Sequence, residues 1–210
     1  MSSDAGAERV ADEIRRRIIQ QELLPGEKLG QQQLANELKV SRVPLREGLL
    51  ILANEGVVSH QHNLGFVVTK RSDEERLQLR RMQSALEAEL FKDLEWPDAK
   101  KIRELRRVNH TLRPKRPASI SIADLVMANH EFHSLIWQLS TSKLIVQEVL
   151  RLWGIALAYS GRDFAFPDRV HESYVDHELI IDALESGDIK QVLKATTNHR
   201  RNVYRFVRTP

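Results

Sequence analysis

Apolar residues recur at helical spacing through most of the chain, and the breaks in that pattern set its organisation. Val10, Ile14, Ile18 and Ile19 predict a helix over residues 8–23, ended by Pro25-Gly26. "QQQLANELKV" (31–40) predicts a second, short helix with Leu34, Ala35 and Leu38 inward. Ser41 is placed to cap a third helix running to about Asn54, with Leu45, Leu49 and Leu52 as its buried stripe. Pro44 falls at the third position of that helix, where the backbone N–H has no intrahelical partner in any case. Two β-branched runs around His62-Asn63-Leu64-Gly65 then predict a hairpin. Three helices and a hairpin in about 70 residues make a winged helix-turn-helix. From residue 72 helical periodicity dominates. It is broken at Trp96-Pro97, Pro114–Pro117, Ser140-Thr141-Ser142, Phe166-Pro167 and Ser186-Gly187, which gives about six helices and no strand. The expected fold is mostly α, with a winged helix-turn-helix domain over 1–70 and an all-α helical bundle over 71–210.

Composition narrows the function classes. A hydrophobic fraction of 41% supports a real core, and 29% charged residues suit an ordered, water-exposed surface. With no cysteine, disulfides, zinc-thiolate sites and thiol nucleophiles are excluded, as fits a reducing compartment. No apolar run approaches the roughly 18 residues of a spanning helix. The start "MSSDAGAERVADEIRRR" has no apolar h-region, so the expectation is a cytoplasmic protein with no membrane partner. The net charge is only +3. Residues 1–70 hold nine basic and nine acidic side chains, whereas 100–116, "KKIRELRRVNHTLRPKR", hold eight basic residues against Glu104 alone. That stretch is either a solvated helix face and loop or a patch adding phosphate contacts. Its place in the bundle half favours the solvated face.

Arg42 and Arg46 lie one turn apart on one helix face, although like charges at that spacing cost an isolated helix roughly 0.2–0.5 kcal/mol. In a helix-turn-helix the second helix of the motif enters the major groove and its N-terminal residues meet base edges. Arginine suits this position because its fork bonds guanine O6 and N7 together. Ser41 and the first-turn N–H groups can meet a phosphate. DNA would relieve the repulsion; the competing reading is a solvated surface pair. In the bundle half, Asn129 and His133 share one helix face, while His177 and His199 lie on two later helices. Three imidazoles and one amide oxygen could converge on a divalent metal, or the histidines could be satisfied core or surface residues. His60, His62, His110, His130 and His171 read as surface, loop or wing residues. Trp137 and Trp153 read as core packing or as walls of an effector pocket.

The N-terminal residues resemble the winged-helix domain of the GntR family of bacterial transcription regulators. The resemblance covers residues 8–69 and rests on "LPGEKL", on "LANELKVSRVPLREGLLILANEGVV" with its VSR-x-P-x-RE run, and on the Gly-bearing wing "HNLGFVV". It implies DNA contacts at Gln32, Ser41, Arg42, Pro44, Arg46 and the wing tip Asn63-Leu64-Gly65, with Gln32 standing where many relatives have arginine. Residues 73–207 are similar to the FCD effector domain, through N-x-x-x-H at Asn129–His133, H-x-x-I-x-x-A-L-x-x-G-D from His177, and a final-helix His199. That resemblance implies one divalent cation (zinc, nickel or manganese) held by Asn129, His133, His177 and His199, anchoring a small carboxylate effector such as an organic or sugar acid. Two departures stand out. Asn129 replaces the usual Asp, and a neutral oxygen binds a hard cation less tightly. Gln83 replaces an effector-binding Arg, so either the effector is not a simple carboxylate or another cation such as Arg80 or Arg151 grips it.

The leading expectation is therefore a ligand-responsive transcription regulator, a repressor by the commoner pattern. It would be a homodimer reading a palindromic operator whose half-sites lie on the order of 34 Å apart. The rival from another class is a metal-dependent enzyme whose histidine site activates water. Against it, no general base accompanies the histidines; Glu131 is two residues from His133 and points elsewhere. A helical scaffold using its winged helix for protein contacts is the third reading.

Overall fold

The computed structural model describes residues 3–113 and 120–205, and the chain divides into two units. Met1–Ser72 group with Gly154–Arg162, and Asp73–Trp153 group with Asp163–Pro210. The predicted break at Pro114–Pro117, with Lys115 and Arg116 of the basic stretch, lies outside the described residues.

In the first unit α1 (Ser3–Ile19), α2 (Gln31–Leu38) and α3 (Arg42–Asn54) precede a hairpin of β1 (Val58–Gln61) and β2 (Gly65–Val68). The helix expected over 8–23 starts earlier and ends at Ile19, because Gln21 takes a left-handed conformation (φ 62°) that no helix can pass through. Lys39 (φ 53°) ends α2 the same way, its N–H bonding back to Ala35 and Asn36 carbonyls. The apolar stripes are where the spacing puts them: Ile14, Leu45, Leu49 and Leu52 are completely buried. Gly48 lets α3 cross α1 closely, since a Cβ there would lie 2.8 Å from the Ala7 carbonyl oxygen and from Val10 Cγ1. Opposite charges reinforce the crossing, with Arg15 Nη2 on Glu55 at 2.8 Å.

The hairpin is antiparallel, with Val58 opposite Val68 and Gln61 opposite Gly65. Its turn needs positive φ at Asn63 (64°) and Gly65 (81°), which those residues tolerate. Residues 26–29 add further rungs to β2: Gly26 N–H to the Val68 carbonyl and Leu29 N–H to the Phe66 carbonyl, both 2.8 Å. The segment Gly154–Arg162 of this unit contributes Tyr159, whose hydroxyl accepts from Arg71 N–H at 2.8 Å and donates to the Thr69 carbonyl at 2.9 Å.

The second unit is built from α4 (Asp73–Leu90), α5 (Ala99–Asn109), α6 (Ile122–Trp137), the first part of α7 (Lys143–Phe164), α8 (Pro167–Ser186) and α9 (Ile189–Arg205). The starts follow capping chemistry. Asp98 accepts the Lys101 N–H at 2.7 Å to open α5, and Ser121 with Asp124 closes a capping box on α6. Pro167 opens α8, and left-handed Gly187 ends it. α8 packs against α9 and α5 over a core that includes Leu105, Phe132, Ile180 and Val192. On α8, Ile180, Ile181 and Ala183 turn inward, while Leu179 is 56% exposed. Among the described residues of this unit the only strand-like feature is an isolated bridge between Leu94 and Ser140.

Two arginines of the basic stretch reach other helices of the bundle. Arg106 reaches Glu178, Asp182 and Glu185 of α8, each at 2.8 Å, and Arg107 lies 3.4 Å from Glu131 of α6. Among the described residues no helix is long and apolar enough to cross a membrane.

Candidate functional site

Two surfaces carry the chemistry, one in each unit. In the first, α3 presents Arg42 as its first helical residue and Arg46 one turn later, both exposed. Ser41 sits at the N-cap position with extended backbone, and its hydroxyl makes no cap bond. Pro44 occupies the third helical position and is half-buried. Gln32, on α2, is not a bystander: its Oε1 accepts from Arg42 Nε at 3.1 Å and Nη2 at 2.6 Å, while its Nε2 donates to Asn36 Oδ1 at 3.1 Å. The guanidinium is thereby drawn toward α2. Asn63 and Leu64 are exposed at the wing tip beside Gly65.

The second surface is internal. His133 of α6, His177 of α8 and His199 of α9 are all buried, and one ring nitrogen of each lies within 4.8 Å of the others. His133 Nε2 and His199 Nε2 are 3.2 Å apart. Two imidazole lone pairs at that distance repel unless a proton or a cation lies between them. With metal–nitrogen bonds of about 2.1 Å, neighbouring ligand nitrogens sit about 3.0–3.4 Å apart. The partners of the other ring nitrogens point the same way. His199 Nδ1 faces Asp176 Oδ2 at 3.2 Å, and His177 Nδ1 faces Asn109 Oδ1 at 3.0 Å. Each arrangement puts the hydrogen on Nδ1 and leaves the Nε2 lone pair free, which is how protein metal sites commonly orient histidine. His177 Nε2 is buried with no hydrogen-bond partner. An orphaned acceptor among clustered imidazoles fits a divalent metal.

Burial drives the His133 and His177 imidazoles well below their ordinary pKa, keeping them neutral and able to ligate. Burial pushes the Asp176 carboxyl up, but hydrogen bonds from His199 and Asn202 outweigh it and hold the group below its usual value. Rings pack the site: Phe132 stacks on His177 at 3.8 Å, and Trp153 lies 4.9 Å from His133. Trp137 is buried in the core and Trp153 half-buried, so both tryptophans touch the cluster while packing. Asn129 is buried one turn before His133 on α6.

The effector candidates fall out differently. Gln83 is buried with its Nε2 unpartnered, and Arg80, one turn earlier, is half-buried. Arg151 stands on the exposed side of α7 with its guanidinium on Glu148 at 2.5 Å, directed away from the interior. An ion pair unforeseen in the sequence joins them, with Glu87 buried and Arg200 half-buried. Glu87, one turn after Gln83, bonds Arg200 Nη1 at 2.6 Å and accepts from the Trp153 indole. Burial pushes the Glu87 carboxyl up, against the pull of Arg200. Asn109, Asp176, Glu87 and Arg200 were the residues the sequence did not single out; the i, i+4 spacing of Gln83 and Glu87 was the one available signal. His130, expected at the surface, is half-buried with its ring 5.8 Å from Trp153, whereas His60, His62, His110 and His171 are exposed.

A winged helix-turn-helix with an exposed recognition helix, joined to a helical bundle enclosing a polar centre, defines a DNA-binding transcription regulator. Comparison with known proteins agrees: residues 6–68 match the "bacterial regulatory proteins, gntR family" profile and residues 78–202 match the FCD domain. The chain belongs to the GntR family, in the group that carries an FCD domain. It is 28% identical over 201 residues to the gluconate operon transcriptional repressor of Bacillus licheniformis, covering 89% of this chain and 79% of that protein. An uncharacterised HTH-type transcriptional regulator of Streptomyces ambofaciens is 26% identical, covering 91% and 80% of the two chains. Among solved structures, a putative GntR regulator from Rhodococcus sp. RHA1 superposes with a TM-score of 0.74 at 22% identity, covering 96% of each chain. McbR/YncC of E. coli gives 0.73 at 19%, covering 99% and 97%. The family and these relatives are transcriptional regulators, not enzymes, which sets aside the metalloenzyme alternative.

Proposed function

We propose that this regulator is a cytoplasmic homodimeric repressor whose hold on a palindromic operator is set by a small anionic effector bound at a metal in the bundle. The observation that carries this reading is the convergence of three buried histidines, each from a different helix, with the His177 Nε2 left without a partner. His133, His177 and His199, with the Asn129 side-chain oxygen, would hold one divalent cation; zinc, nickel and manganese all suit that donor set. When bound, such a cation supplies a fixed positive charge and an open coordination position for an oxygen ligand. Arg200 is already matched by Glu87, so the effector's anionic group goes to the metal, with Gln83 left to donate to an oxygen elsewhere on it. An organic or sugar acid has that chemistry, and the relative named for a gluconate operon supports the choice. Arg80, half-buried one turn before Gln83, stays within the proposal, and Arg151, held on the exposed side by Glu148, does not.

On the DNA side the reading assigns base contacts to Arg42 and Arg46, and phosphate or groove contacts to Ser41, Pro44, Asn63 and Gly65, with Gln32 acting on or beside them. The test is metal content of the purified, untagged chain, alongside operator titration with and without sugar acids. About one equivalent per chain, lost in His133→Ala, is expected. A folded protein free of metal that still answers to an acid effector would overturn the metal-anchored mechanism.

A further inference from the structure

Asn109 closes α5 and is completely buried. Its amide nitrogen donates to the Tyr174 carbonyl at 3.1 Å and to Glu178 Oε1 at 2.6 Å, and its Oδ1 lies 3.0 Å from His177 Nδ1. Both amide hydrogens are thus claimed by acceptors. Flipping the amide would set its oxygen against a carbonyl and a carboxylate, so the orientation is fixed by chemistry. An oxygen facing Nδ1 requires the hydrogen there, and a neutral imidazole with Nδ1–H carries its lone pair on Nε2. That Nε2 is the atom buried without a partner. Glu178 is fixed in turn: its Oε2 takes Arg106 Nη1 at 2.8 Å, and Arg106 is braced by Asp182 and Glu185.

We propose that Asn109 is a positioning residue for the bundle's metal centre, through which the chain Arg106–Glu178–Asn109 holds His177 as the Nδ1–H tautomer and offers its Nε2 to the cation. The inference rests on the metal reading above and adds to it the residue that sets one ligand. It also gives the basic stretch a task, since Arg106 and Asn109 lie in it and face α8 rather than nucleic acid. His199 is served differently, by the carboxylate of Asp176, which also binds Asn202. A neutral amide suits the 177 position because a second carboxylate there would face Glu178 in a buried space.

The experiment uses the full chain labelled with ¹⁵N-histidine, stripped with a chelator and then titrated with Ni²⁺ alone. Long-range ¹H–¹⁵N spectra of the stripped protein report the His177 tautomer, assigned by its loss in His177→Gln. The wild type is expected to show Nδ1–H. Asn109→Leu is expected to shift or mix the tautomers and to weaken Ni²⁺ binding roughly 10–100-fold. An unchanged tautomer, or an affinity within twofold of wild type, would overturn the proposal. If Asn109→Leu does not fold, Arg106→Gln at the outer end of the chain carries the test. It should move both readouts in the same direction by less, and no movement in either would overturn the relay. A wild type showing Asn109-dependent Nδ1–H yet taking up no Ni²⁺ would sink the metal reading and spare the tautomer assignment. A Ni²⁺-binding wild type matched by Asn109→Leu would do the reverse.

Discussion

Arg46 is exposed on the third helix with no side-chain partner among the described residues, while Arg42 beside it is held by Gln32. Arg46→Ala should therefore cost roughly 1–3 kcal/mol of operator affinity and relax specificity at one base pair. Electrophoretic titration against sequence-selected operators checks this; undiminished, equally selective binding would remove Arg46 from the base-reading set. Asn129 gives a second prediction at this scale. Restoring a charged oxygen with Asn129→Asp should tighten divalent-metal binding, as a competition assay with a chromogenic chelator would read. Arg42 and Arg46 could be proposed from their spacing, and the three histidines from the resemblance of their motifs to the FCD domain. Asn109, Asp176 and Arg200 could not, because each has its meaning only from a partner at least 23 positions away brought in by helix packing.

Among the elements, periodicity located the helices because each buries a stripe, but their ends depend on single backbone conformations that apolar spacing does not report. Gln21 and Lys39 take positive φ without being glycine, so the stops at Ile19 and Leu38 left no compositional mark. α7 shows the same limit. Its residues 154–162 group with the first unit, and nothing in the pattern distinguishes them from the rest of the helix. Its two glycines test the packing in opposite directions. A Cβ on Gly161 would sit 1.9 Å from the Ile19 carbonyl oxygen, a backbone atom that cannot step aside, whereas one on Gly154 meets nothing within 4 Å. Gly161→Ala should destabilise the protein by about 1–3 kcal/mol or more. Gly154→Ala should stabilise it by up to about 1 kcal/mol through helix propensity alone. Urea denaturation of the two variants reads both signs, and a neutral Gly161→Ala would mean that α7 does not approach α1 this closely.

For the molecule as a whole, a metal that joins α6, α8 and α9 binds only where those helices are already assembled. It must then raise the stability of the folded second unit by mass action. At a free concentration a hundred times its dissociation constant, a one-site ligand adds about 2.7 kcal/mol. For a unit of this size that corresponds to a rise in Tm on the order of 10 °C. Calorimetry of the chelator-stripped chain with and without Ni²⁺ should show that rise. The decisive comparison is the Ni²⁺-induced shift in His177→Ala rather than its absolute Tm, since removing a buried imbedded ring lowers stability whether or not metal binds. The shift should vanish in the variant. An equal shift in wild type and His177→Ala would place the stabilising metal elsewhere on the chain and remove the basis for an effector site built around these three helices. A shift present in wild type and absent in the variant would instead tie ligand chemistry to the assembly of the bundle, the coupling an effector needs if its binding is to change what the first unit does on DNA.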